Sequence, residues 1–170
     1  LPDHRSIRVI KDNVRAQQAF DQLQRGEFEF FQVEARDGLV LDGYLMKPTN
    51  FDPNQRYPIV FYVYGEPWGQ TVSNSWGGQR MLFHTYLTQQ GYIVASVDNR
   101  GTRSPRGFEW RRSIYKNLGD ITVRDQYDAL QGMLQRWSFI DAARVGIWGH
   151  SGGGSQTLNA MFRYPNAYHV

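Results

Sequence analysis

Hydrophobic and polar residues alternate along the first third of the chain in patterns that predict one helix and one β-hairpin. From Lys11 to Gln24, apolar residues lie among Gln, Arg and Asp at a spacing that favours a modest amphipathic helix, ended by Gly26. Two strand-like runs follow, at 29–35 and 40–46, with the hairpin-favouring dipeptide Asp37-Gly38 between them. We therefore expect two antiparallel strands.

The middle of the chain has the order strand, helix, strand. Residues 58–64 form a continuous apolar run rich in β-branched and aromatic side chains, which is typical of a strand covered on both faces. After a loop at 65–78, a helix is predicted at about 79–90, and Gly91 introduces a second buried strand at 92–97. This is the pattern of a βαβ unit.

The last third predicts a further helix, strand and helix. A long loop at 98–119 precedes a helix at about 121–137, a short strand at 144–148, and a helix ending near Tyr164-Pro165. His169 begins what looks like another strand. The alternation predicts an α/β fold with an open, mostly parallel sheet, an N-terminal antiparallel hairpin and flanking helices.

Composition is that of a folded domain and narrows the possible chemistry. The chain has 170 residues, 41% of them hydrophobic, which suits about one domain. Its formal charge of +3 is spread out, and the densest basic stretch, 103–116, is more typical of a solvated face than of a nucleic-acid surface. The absence of Cys excludes disulfides and thiol catalysis and leaves the compartment open. No apolar run approaches the roughly 18 residues of a membrane span, and no metal or cofactor is implied.

A Gly-x-Ser-x-Gly turn centred on Ser151 is the strongest chemical signal. A nucleophilic serine on a tight strand-to-helix turn is pushed out of the sheet, and its neighbours at Gly149 and Gly153 lie too close for side chains. The Gly152 N–H would point at a developing oxyanion. The alternative is a glycine-rich turn with an inert serine. Ser155 is the adjacent candidate, but we expect it to be poorly exposed within the helix.

The acid and base that such a serine needs are not evident nearby. In this fold the triad follows the chain order Ser, Asp or Glu, then His, yet the nineteen residues after Ser151 contain no Asp or Glu and one His. We therefore expect an incomplete α/β-hydrolase fold whose triad partners lie beyond Val170. Among acids, Asp98 at a strand end is the best local candidate. The four histidines are interpreted as packing or surface residues (His4, His84, His150, His169). The other nearby acids are interpreted as helix-start or solvated-face charges (Asp120, Asp125, Asp128).

Several ordered segments resemble one known family. They are Tyr57–Pro67 (YPIVFYVYGEP), Gly91–Gly101 (GYIVASVDNRG), Leu118-Gly119 with Asp125-Gln126, and Arg144–Gly153 (RVGIWGHSGG). Through them the chain resembles the prolyl oligopeptidase family of serine peptidases, specifically its dipeptidyl peptidase IV-like branch. The resemblance implies that 28–170 is the N-terminal part of a catalytic α/β-hydrolase domain, truncated after the nucleophile helix. It also implies that 1–27 is a linker and helix from a missing propeller region.

The resemblance assigns roles to individual residues. It makes Ser151 the acylating nucleophile, and it pairs the Tyr64 hydroxyl with the Gly152 N–H as an oxyanion hole, which suits a phenol donor at a strand end. The alternative for Tyr64 is an aromatic residue at the edge of the core. Arg100 is expected to make structural pairs. The family's elbow usually carries Tyr after Ser, as a wall of the substrate pocket, so Gly152 removes that wall and puts proline preference in doubt.

These observations favour a serine-type peptidase, dipeptidyl peptidase-like and acting on short peptides, whose 170-residue fragment is inactive by itself. Two alternatives stay open: an esterase or acyl-peptide hydrolase on the same fold, and a non-catalytic interaction module. The expected partners are a peptide substrate, the missing propeller and C-terminal part of the catalytic domain, and a second copy through an exposed sheet edge. The compartment is open, although the resemblance is compatible with a periplasmic or extracellular protein.

Overall fold

Five strands form one mixed sheet in the order β1-β2-β4-β3-β5. A computed structural model describes residues 8–170. The elements in chain order are α1 (Val14–Asp21), β1 (Phe28–Glu34), β2 (Val40–Met46), β3 (Tyr57–Tyr62), α2 (Gly78–Gln89), β4 (Ile93–Asp98), α3 (Gly107–Arg112), α4 (Ile121–Arg136), β5 (Ile140–Trp148) and α5 (Gly152–Arg163).

The pairing of the strands agrees with the predicted hairpin and βαβ unit. β1 and β2 pair antiparallel, and Gly38 turns the chain with a φ of 81° while its N–H donates to the Ala35 carbonyl. β3 pairs parallel with β4 on one side and with β5 on the other. Because β2 also runs antiparallel to β4, the hairpin accounts for both antiparallel pairings. The predicted α/β fold with flanking helices is confirmed.

Side chains of the central strands divide into two packed layers, one on each face of the sheet. Along β2, Leu41 and Leu45 join the larger core, whereas Tyr44 and Met46 join a smaller core on the other face. Helices α4 and α5 contribute to the larger core, and α2 covers the smaller one. Every residue of β4 is buried, as expected for a strand covered on both faces.

Most predicted helix and strand boundaries lie within two residues of the observed ones, but three elements (α1, α3 and β5) differ more from their prediction. The first helix is shorter at both ends and buries no residue, since nothing anchors its termini in the core. Helix α3 lies inside the segment predicted as loop, because only Trp110 of its six residues is buried and no apolar periodicity marks it. β5 begins at Ile140, four residues before its predicted start, because the exposed stretch after Ile140 hides the strand pattern.

Two acids predicted to be solvated are instead buried in ion pairs, and that prediction was wrong. Asp125 is fully buried and accepts from the Arg100 Nε at 2.8 Å and from the Arg100 backbone N–H. Asp128 is buried against Arg36. The prediction that Arg100 makes structural pairs is confirmed, because it also binds Asp37 at 2.8 Å. Hydrogen bonding from Arg100 lowers the pKa of Asp37 to about 2.

The N-terminal helix touches the body through a few contacts at one end. The Phe20 ring packs edge-to-face on Trp76 with centroids 4.5 Å apart, and the Gln89 amide donates to the Gln24 carbonyl. No helix within 8–170 has both the length and the apolar character needed to cross a bilayer.

Candidate active site

The turn between β5 and α5 holds Ser151 in a strained backbone conformation. Ser151 has φ 56° and ψ −119°, in a region that residues other than glycine rarely adopt. Such a conformation costs on the order of 1–3 kcal/mol and persists where the surrounding structure enforces it. The side chain is exposed and makes no capping hydrogen bond to α5. The chain therefore forms the strand, turn and helix expected around Ser151, with the serine hydroxyl at the surface.

Two glycines flank Ser151 and hold the turn against the end of β3. A Cβ added at Gly149 would lie 2.6 Å from the Gly153 carbonyl oxygen and would overlap the Val63 carbonyl oxygen. A Cβ at Gly153 would overlap the same Val63 oxygen and would lie 3.2 Å from the Tyr64 Cα. Any side chain here would force β3 and the turn apart. The Gly-x-Ser-x-Gly spacing thus has a steric reason.

One backbone donor at the start of α5 is left free. The Gly153 N–H donates to the His150 carbonyl and the Gly154 N–H to the Ser151 carbonyl, both at 2.9 Å. The Gly152 N–H has no acceptor within the described part of the chain. It directly follows Ser151, at the positive end of the helix dipole. Such a donor can stabilise negative charge on a carbonyl oxygen whose carbon bonds to the Ser151 oxygen.

Tyr64 lies beside this turn. It is half-buried, its Cα lies close to Gly153, and its ring packs so tightly on Gly69 that a Cβ there would overlap it. In residues 8–170 the tyrosine hydroxyls that make hydrogen bonds are those of other tyrosines. The Tyr64 phenol therefore has no hydrogen-bond partner among the described residues, and its backbone lies next to the turn that carries Ser151.

Tyr64 and Ser151 share one place in the sheet. Each lies just beyond the carboxyl end of its strand, and the two strands, β3 and β5, are parallel neighbours. The helix after β3 covers one face of the sheet, and the helix after β5 contributes to the core on the other. In open α/β sheets, ligands bind outside the carboxyl ends of strands whose following helices lie on opposite faces.

None of the histidines in the described residues is hydrogen-bonded to Ser151. His150 is exposed, and His169 Nδ1 lies 3.5 Å from the Val145 nitrogen at β5, from which it accepts. His84 is fully buried with Nδ1 3.1 Å from the Tyr44 hydroxyl, and burial lowers its pKa to about 4. His4 lies outside the described residues. The expected packing and surface roles fit the environments of His84, His150 and His169.

Asp98 holds the loop after β3 in place. Its carboxylate accepts from the N–H and hydroxyl of Thr71 at 2.8 and 2.9 Å and from the Val72 N–H at 3.1 Å. Desolvation raises the pKa of this carboxyl, against the opposing effect of those hydrogen bonds. With these partners Asp98 anchors the loop at 65–77, so it is poorly suited to orient a catalytic histidine.

Sequence reasoning missed Glu66. Its side chain is 9% exposed and lies over Gly152, where an added Cβ would be 2.6 Å from Glu66 Oε1. Burial raises the pKa of the Glu66 carboxyl, and no charged or hydrogen-bonding group among the described residues offsets this. The space beside Gly152 thus holds a carboxyl group. The available signal was a charged residue within the Tyr64-Gly65-Glu66-Pro67 stretch, where the chain leaves a buried strand.

The chain is similar to known proteins over most of its length. The model of the prolyl oligopeptidase family matches residues 79–170. Dipeptidyl peptidase 8 of Homo sapiens is 36% identical over 142 residues, which cover 84% of this chain and 16% of that protein. Its counterpart in Mus musculus is 35% identical over 142 residues, again 84% of this chain and 16% of the relative. The chain therefore spans about a sixth of the length of these relatives.

A solved structure shares both the fold and the sequence. Dipeptidyl peptidase 4 of Porphyromonas gingivalis superposes with a TM-score of 0.83 at 34% identity, over 95% of this chain and 22% of that one. Similarity at this level agrees with the order of strands and helices described above. Since the family model also covers more than half of the residues, the chain belongs to the prolyl oligopeptidase family.

Proposed function

We propose that this chain is part of a longer serine peptidase, here called the parent enzyme, in which Ser151 forms the acyl-enzyme. One observation carries the proposal: Ser151 is exposed in a strained backbone conformation with positive φ, directly before a backbone N–H that has no acceptor in the described residues. A constrained nucleophile beside a free donor is the arrangement that acyl transfer requires. Membership of a family of peptidases supports the same chemistry.

In the proposed reaction the Ser151 oxygen attacks the carbonyl carbon of a peptide bond. The new C–O bond gives a tetrahedral intermediate, whose negative oxygen is held by the Gly152 N–H and the Tyr64 hydroxyl. The C–N bond then breaks, and the amine leaves with the proton that a general base took from Ser151. A water molecule, deprotonated by the same base, then attacks the acyl carbon. The bond between that carbon and the Ser151 oxygen breaks, and the serine takes back a proton. The donors are pre-positioned because Gly149 and Gly153 bring β3 and the turn together.

The general base and its acidic partner are proposed to lie in other parts of the parent enzyme. No histidine in 8–170 is hydrogen-bonded to Ser151, and the 142 matched residues make up only 16% of the relative's length. We assign 28–170 to the first part of the catalytic domain and 1–27 to a connection from a propeller region. Without a base the serine keeps its proton at neutral pH, so the 170-residue chain alone is inactive.

The proposed substrate is a short peptide from which a dipeptide is released, as the names of the relatives suggest for those proteins. The test treats the parent enzyme with a fluorophosphonate and locates the adduct by mass spectrometry. It then compares hydrolysis of a dipeptidyl anilide, an N-acylated aminoacyl anilide and a short acyl ester. We expect an adduct on Ser151 and fastest turnover of the dipeptidyl anilide. An unlabelled Ser151 would overturn the proposal, and preference for the ester or the acylated substrate would overturn the assignment as a dipeptidyl peptidase.

Replacing the Tyr64 hydroxyl is expected to impair the chemical step. Tyr64→Phe keeps the ring that packs on Gly69 and removes one proposed oxyanion donor. In the parent enzyme, kcat should fall about 10²- to 10³-fold with little change in KM, because the donor acts mainly on the transition state. Steady-state kinetics on the dipeptidyl anilide measures this. The matched control is Tyr86→Phe on an exposed tyrosine of α2, and equal activities of the two variants would contradict the role of Tyr64.

A further inference from the structure

The buried carboxyl of Glu66 lies at the candidate nucleophile without a cation to match it. Its Oε1 is within about 4 Å of the Gly152 Cα, given the position of the Cβ that glycine lacks. Gly152 immediately follows Ser151 and carries the free N–H. The carboxyl group of Glu66 therefore lies beside the residue that directly follows the candidate nucleophile.

Burying a carboxylate is costly unless it gains a partner. Glu66 is nine-tenths buried, and in the described residues it forms neither an ion pair nor a side-chain hydrogen bond. Its oxygens are not among the fully enclosed side-chain atoms, so the carboxylate still reaches the surface. Desolvation raises the pKa of Glu66, which agrees with a charge that has no compensating group.

The surroundings of Glu66 hold it in one place. Its backbone carbonyl accepts from the Gly69 N–H, and the loop beyond Gly69 is fixed through Thr71 on the buried Asp98. Gly152 leaves the space in which the side chain lies. A charged group kept in a fixed position beside a reacting centre selects among ligands by charge.

We propose that Glu66 is a specificity-determining residue that binds a cationic group in the acyl half of the substrate. This rests on the proposed function, because it places the acyl group on Ser151. The cation has two chemical sources: the ammonium or guanidinium of a basic side chain next to the scissile carbonyl, and the free α-ammonium of the substrate's first residue. Both would form a charge-assisted hydrogen bond to the carboxylate.

The experiment compares the parent enzyme with its Glu66→Gln variant, which keeps the shape of the side chain over Gly152. Three anilide substrates separate the sources: N-blocked with a basic residue at the scissile bond, N-blocked with a neutral residue, and neutral with a free α-amino group. We expect kcat/KM to fall about 10- to 100-fold for the substrate whose cation binds Glu66. For the N-blocked neutral substrate, kcat/KM should stay within about threefold of the value for the unaltered enzyme. Loss confined to the first substrate assigns the basic side chain, and loss confined to the third assigns the α-ammonium.

Two controls keep the outcome interpretable. Glu34→Gln removes the same charge from an exposed position at the end of β1 and should leave all three rates unchanged. Fluorophosphonate should label Ser151 equally in the Glu66→Gln variant and in the unaltered enzyme. If neither protein is labelled, the proposed function itself is contradicted. Equal changes for cationic and neutral substrates would overturn the specificity role and leave Glu66 as a support for the first turn of α5.

Discussion

The parent enzyme with Ser151→Ala is expected to lose at least about 10⁴-fold in kcat, because no acyl-enzyme can form and only binding and the oxyanion donors remain. Alanine is smaller than serine and the serine hydroxyl makes no capping hydrogen bond to α5, so folding should be retained. The measurement is steady-state hydrolysis of the dipeptidyl anilide, with circular dichroism to verify the fold.

Ser155→Ala is the matched control for this prediction. Ser155 was expected to be poorly exposed, and that expectation was wrong: it lies on the surface one turn into α5. Its N–H donates to the Ser151 carbonyl, so it has an ordinary helical environment without the strained backbone. The control should keep nearly full activity. A Ser151→Ala enzyme as active as the control would show that Ser151 is not the nucleophile.

Replacing Asp125 by alanine is expected to destabilise the protein by about 3–5 kcal/mol. The Asp125 side chain is completely buried, with 0% relative accessibility, and the Arg100 side chain beside it is 12% accessible. Removing the carboxylate leaves a mostly buried guanidinium with Asp37 as its remaining acidic partner, and leaves the Arg100 backbone N–H without its acceptor. Urea unfolding of the parent enzyme, followed by a probe in this domain, measures the loss.

The control for this change is Asp120→Ala, which breaks an ion pair with Arg163 in which both side chains are about half exposed. Exposed pairs contribute about 1 kcal/mol or less, since water screens the charges and the side chains lose freedom. The two variants should therefore differ by at least about 2 kcal/mol. Similar losses in both would mean that burial of Asp125 is not what makes its ion pair important.

Local patterns predicted most of the fold because the strands have buried faces. The predicted bounds of β2 agree with the structure and those of β4 lie within one residue, since turn-forming residues precede both strands, at Asp37-Gly38 and at Gly91, and most of their side chains are buried. The ion pairs could not be predicted in this way. Asp125 and Asp128 look like ordinary charges on an amphipathic helix, and their partners Arg100 and Arg36 lie 25 and 92 residues away in the chain.

The candidate site likewise contains residues that the local sequence indicates and one that only the fold brings into place. The turn at Ser151 is marked by residues within two positions of each other, so the sequence alone indicates it. Glu66 is 86 positions from Gly152, and the contact arises only when the carboxyl ends of β3 and β5 are adjacent. A lone glutamate in a loop gives no sign of that proximity, and the resemblance to the family drew attention to Tyr64 instead.

The close approach of Gly149 and Gly153 to the Val63 carbonyl has a consequence for which substitutions this domain can tolerate near Ser151. The turn that carries Ser151 lies directly against the Val63 carbonyl, one residue before Tyr64. The loop at 65–77 contacts this region through Gly69 and Glu66, and farther along it is anchored on Asp98. Substitutions beyond Gly69, in the part of the loop anchored on Asp98, are therefore expected to leave the packing of Tyr64 and the turn at Ser151 undisturbed.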